Sequence, residues 1–167
     1  MRGSCVSLVM LILGSLGAQT APPVDLARIG HLPGKGRAQD AIGALAEAGP
    51  YLIPFLVSQL TVESAVEERV LDSWPRMRVG DVALVVLTDL FTEPGGETTI
   101  PGLAWDRLLE RADDDTPAWE LLERYIAIHG RAGLQRKVER ILAPYDAGFA
   151  WDAARGCFRP IPREERK

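Results

Sequence analysis

The chain has 167 residues, with 19 Lys or Arg, 23 Asp or Glu and two His, for a net charge of −4. That balance argues against nucleic acid as a partner, and the length suffices to bury one ordinary core. Cys5 and Cys157 are its two cysteines, so a segment that lacks Cys5 can form no internal disulfide.

Residues 1 to about 20 follow the order of a secretory signal peptide: Arg2, then an uncharged run from Val6 to Leu16, then small residues. The run is shorter than the roughly 20 apolar residues that a membrane span needs. A cysteine placed for lipidation would follow the apolar run, whereas Cys5 precedes it. The expectation is cleavage between Ala18 and Ala21, no membrane anchor afterwards, and a secreted or periplasmic protein. Residues 22–167, roughly 145 in number, then form a single helical domain.

Val24 to Gly36 has no sustained period and reads as a lead-in, with His31 as a solvated loop residue. From Arg37 the pattern becomes helical. Ala38, Ala41, Ile42, Leu45 and Ala48 make one apolar stripe, Gly49 and Pro50 a turn, and Leu52, Ile53, Leu56, Val57 and Leu60 a second stripe. Two such helices joined by Gly-Pro make an αα-hairpin, which cannot bury both stripes alone.

The stretch RAQDAIGALAEAGPYLIPFLVSQL, Arg37 to Leu60, resembles one HEAT-type repeat: small residues at Ala41 and Ala44, Leu45 near the end of the first helix, Pro54 and Leu56 in the second. Gly80 to Phe91 is similar to the first helix of another such unit. The resemblance implies a mainly α fold of antiparallel helical hairpins in a HEAT-like stack. It does not extend to a clean period of about 40 residues.

TVESAVEERVLDSWPRMRV, residues 61–79, is acidic first and basic later. The alternation at Arg76 to Val79 fits a short strand pairing with Arg69 to Leu71, a β-hairpin near 69–79. Trp74, Arg76 and Arg78 are the candidate binding residues, because Trp and Arg are frequent interface hot spots. The competing reading has Trp74 covering the top of the core. Next comes GDVALVVLTDLF, Gly80 to Phe91, apolar on nearly every side. A helix of that kind is buried, so it is predicted to be the central element with neighbours on both sides.

TEPGGETTIPG is a loop by its Pro and Gly content. The C-terminal helices are expected within 103–143. Trp105, Leu108, Leu109 and Ala112 define one over Gly102 to Ala112. Asp113, Asp114 and Asp115 lack the ligand spacing of a calcium loop, and they fit better as the acidic approach to a helix capped by Thr116 or Asp115, with Pro117 at its first position. In that helix Trp119, Leu122, Ile126 and His129 share a face, and Gly130 ends it. Leu134, Val138, Ile141, Leu142 and Tyr145 stripe the last helix, with Arg131, Arg136, Lys137 and Arg140 on its outer side. Phe149 to Pro160, with Gly156 late in the loop, predicts a terminal β-hairpin, in which Cys157 fills the inner face.

No catalytic motif, metal-binding spacing or cofactor fingerprint stands in the chain. The acid pairs Asp106 with Glu110 and Glu120 with Glu123 share helix faces. The charge is unevenly spread: residues 22–130 hold 9 basic and 18 acidic side chains, whereas 131–167 hold 9 basic and 5 acidic. Such a split either steers a partner or is neutralised within the fold. Two functions of different class follow. One is a secreted or periplasmic helical-repeat-like protein with a binding or scaffold role toward a protein or peptide. The other is a small cell-envelope enzyme using carboxylates of the acidic part. An open groove presenting Trp or Arg favours the first, and a deep pocket enclosing two acids in opposed environments favours the second.

Overall fold

The computed structural model describes residues 52–66, 74, 76–110, 116–145 and 148–161. These are mainly helical: α1 (Leu52–Gln59), α2 (Val79–Asp89), a one-turn α3 (Trp105–Leu108) and α4 (Ala118–Leu142), followed by the antiparallel strands β1 (Phe149–Asp152) and β2 (Cys157–Pro160). The expected signal peptide, His31, the 37–48 helix with its Gly-Pro turn, and Asp113 to Asp115 lie outside the described residues. No helix among the described residues is long and apolar enough to cross a membrane.

Because α2 is apolar around its whole circumference, it can only be accommodated inside. Ten of its eleven residues are buried and Asp89 alone is exposed. Leu52, Ile53, Leu56 and Leu60 of the α1 stripe pack toward it, and Leu121, Leu122, Tyr125, Leu134 and Val138 of α4 complete the core. At its N-terminus the Arg78 backbone N–H donates to Asp81 Oδ2 at 2.7 Å, half of a capping box. Gly80 permits an unusually close approach, since a Cβ there would stand 2.5 Å from Leu60 O and 2.7 Å from Arg131 Nη1.

Several expectations need correction. Residues 77–79 pair as extended backbone with 64–66, while Arg69 to Leu71, the partner expected for them, lie outside the described residues. Arg78 bridges Ala65, Val66 N donates to Met77 O and Val79 N to Ser64 O. The pairing is an isolated bridge, and residues 67–73 lie outside the described part. The helix expected over Gly102 to Ala112 is a 3-10 turn, Pro101–Leu103, followed by α3. Extended backbone at Ala104 separates the two, and Glu110 adopts φ 56°, which cannot propagate a helix. Helix α4 starts at Ala118, with Pro117 in the N-cap position, one residue later than expected.

Gly130, at φ 68° and ψ 164°, breaks α4 into segments 118–129 and 131–142. In the first segment the buried face runs through Leu121, Leu122 and Tyr125, while Trp119 and Ile126 are half-buried and His129 is exposed. Ile128, although apolar, is 76% exposed. In the second segment Arg131 does not solvate the outer side: it is buried, and its Nη2 donates to Asp81 Oδ1 at 2.8 Å while its Nη1 reaches Leu60 O at 3.4 Å. The reason is spacing. Residue 131 stands three before Leu134 and seven before Val138, on the same face of the helix.

The hairpin forms where expected, with Trp151 opposite Phe158 and Asp152 opposite Cys157. Asp152 Oδ1 accepts the backbone N–H groups of Ala154 and Arg155, which shapes the four-residue connection. Phe158 N donates to Leu90 O at 2.7 Å, and Phe149 and Phe158 pack against Phe91. The hairpin is thereby fastened to the C-terminal end of α2.

Candidate binding cleft

The residues singled out before α2 do not form one surface. Trp74 is 5% exposed, its ring edge-on to Trp105 with centroids 6.2 Å apart. An indole so enclosed offers almost no area to a partner, so the reading of Trp74 as a cover for the core fits its position. Arg76 and Arg78 are exposed, and Arg78 Nη1 lies 3.6 Å from Glu63 Oε2.

A different concavity brings polar and aromatic groups together. The chain leaving α2 makes a tight reversal in which Thr92 bridges Thr98 and Glu93 N donates to Glu97 O at 2.8 Å. The Thr99 hydroxyl lies 2.7 Å from Phe158 O and 3.1 Å from Phe91 O, so its proton ties the reversal to β2. Between reversal and hairpin lies an open cleft of about 790 Å³, lined by Glu93, Glu97, Trp151, Asp152, Arg155 and Arg159 among others. Glu93 is its hinge of charge: Arg155 Nη1 stands 2.6 Å and Arg159 Nη2 3.6 Å from the same Oε1, and Arg155 Nε is 3.7 Å from Asp152. The hydrogen bond and charge of Glu93 raise the pKa of Arg155 further above its ordinary value. Trp151 is 39% exposed and meets Phe158 edge-on at 5.0 Å.

Sequence reasoning placed Trp151 in a hairpin but missed the cleft. The available signal was that Arg155 and Arg159 flank the last strand while Glu93 and Glu97 flank a Pro-Gly-Gly turn. Their meeting is set by the Phe158 backbone bond to Leu90, which no residue pattern announces. A second concavity of about 460 Å³ runs between Ile53 and Val57 of α1 and Leu142 and Phe149. It is apolar and continues the core.

One acid of each pair considered for catalysis is engaged in a surface ion pair. Glu110 accepts from Lys137 Nζ at 2.6 Å, whose hydrogen bond and charge hold its carboxyl below the ordinary value, and Glu120 pairs with Arg124. Asp89, although the one exposed residue of α2, has its pKa raised by partial burial of its carboxyl. Cys157 is fully buried, and desolvation, then the charges of Glu93 and Asp152, push its thiol up. That direction opposes formation of a nucleophilic thiolate.

Among the described residues, part of the uneven charge is paired internally. Arg131 with Asp81 and Glu63, Lys137 with Glu110, and Arg155 and Arg159 with Glu93 each join a cation beyond residue 130 to an acid before it. Among the described residues, the basic C-terminal part is drawn onto the acidic remainder. No protein-family model, curated protein or solved structure matches the chain.

Proposed function

We propose that this is a secreted or periplasmic protein with a HEAT-like helical body and a binding or scaffold role, and that it holds a peptide segment of a protein partner in the cleft beside the terminal hairpin. The observation that carries this reading is an open concavity whose lining includes a part-exposed Trp151 and two arginines. Tryptophan supplies a large rigid contact area and arginine several directed donors, and both are over-represented where alanine substitution weakens binding most. The two acids in opposed environments that an enzyme reading requires have no counterpart in this cleft, whose carboxylates face guanidinium groups or solvent.

Selection of dodecapeptides from a random display library on residues 22–167 tests the proposal. Binding of the selected peptides is expected to fall by more than about 2 kcal/mol in Trp151→Ala, the scale of a hot-spot loss, with the far-UV spectrum and melting transition retained. Failure to select any binder, or equal affinity of the variant, would overturn it.

A further inference from the structure

Resting on the peptide-binding reading above, we infer that the partner segment adds as a third strand on the open edge of β1, with a basic side chain directed into the cleft. The hydrogen-bond register carries the argument. Phe158 N points away from β1, since it donates to Leu90 O, and Ile161 N donates to Gly148 O across the hairpin. In an antiparallel pair, residues bonded to the partner strand alternate with residues whose groups point outward. Opposite pairs 150–159 and 152–157 therefore bond within the hairpin, and the backbone N–H and C=O groups of Phe149 and Trp151 face the other side. Among the described residues the sheet has two strands only, so those four groups form an unpaired row.

Edge strands of this kind are normally guarded by proline, lysine or a bulge. The β1 sequence, Phe-Ala-Trp-Asp, has none of these, and its safeguards are its short length and the charge of Asp152 at its end. An extended peptide laid along such an edge takes affinity from main-chain bonds and specificity from alternate side chains. On one face its side chains meet Trp151. On the other they pass over Ala150, which is small and exposed, toward the face of Asp152 and Arg159 that looks onto Glu93. There three carboxylates, Glu93, Glu97 and Asp152, stand against two guanidinium groups already paired with Glu93. Glu97 has no ion-pair partner among the described residues, so the surplus charge is negative and selects lysine or arginine.

The probe is an acetylated, amidated hexapeptide of alternating valine and lysine, titrated into ¹⁵N-labelled residues 22–167. Binding is expected to shift the amides of Phe149 and Trp151 and slow their hydrogen exchange, and to be at least tenfold tighter than for a valine–glutamate hexapeptide. Because an added strand bonds through every second residue, N-methylation of either the valines or the lysines is expected to abolish binding, while methylation of the other set leaves it within about threefold. Equal binding of both methylated peptides overturns the third strand and leaves the cleft a peptide site. If neither the hexapeptide nor any displayed peptide perturbs the cleft, the binding reading itself fails. Slow exchange of both edge amides without peptide also overturns the inference. It would assign the edge to a second copy if protection grows with protein concentration, and to another segment of this chain if it does not.

Discussion

Asp81→Ala is expected to destabilise the protein by about 3–5 kcal/mol, the range found when one partner of a buried ion pair is removed. The Asp81 and Arg131 side chains are only 7% and 6% exposed. Asp81 accepts twice, from the Arg78 backbone and from Arg131, so its loss leaves a guanidinium buried without its counter-charge and the first turn of α2 without a cap. Arg131 Nε already lacks a hydrogen-bond partner, and Glu63, at 3.9 Å and largely exposed, is a weak substitute. The same logic predicts that adding Arg131→Met to Asp81→Ala recovers part of the loss, because the uncompensated charge disappears. Urea melts of the three proteins decide this. A loss below about 1 kcal/mol for the single variant, or a further loss in the double, would mean that the pair does not lock α4 onto α2.

Leu87→Ala is expected to lose about 2–5 kcal/mol, the span seen for buried leucine truncations. Leu87 has no exposed surface, Val86 beside it has none either, and Leu90 is 2% exposed. Neighbours on several elements would have to move together to refill the space, so the cost should fall toward the upper part of that range. The slope of stability against urea should stay unchanged, since it follows the surface exposed on unfolding.

Those two substitutions also mark what was legible in the residues alone. The central helix was readable because an all-round apolar surface has one physical solution, and the terminal hairpin because turn residues sit between two short apolar runs. The spacing of Arg131 from Leu134 and Val138 was equally present. Its charge outweighed its position, although a buried arginine is stable once a carboxylate and a carbonyl meet it. The Gly102 to Ala112 helix failed for a local reason: the periodicity of Trp105, Leu108 and Leu109 is real, but backbone at Ala104 and Glu110 confines it to one turn. For Trp74 the sequence left two roles open. Contact with Trp105 encloses the ring, and that contact spans 31 residues of chain. The cleft was the least legible feature, because it is made by two segments far apart in sequence whose register is set by the Phe158 N–H bond to Leu90 O and the Thr99 hydroxyl bond to Phe158 O.

Helix α2 is the most completely buried helix among the described residues, and native-state hydrogen exchange tests its place as the organising core most directly. The amides of residues 83–88 are expected to exchange only through global unfolding, with an opening free energy equal to that from urea melts and higher than that of α3 or β1. Exchange of those amides well below the global value, with the second segment of α4 protected more strongly, would contradict it and place the organising core elsewhere.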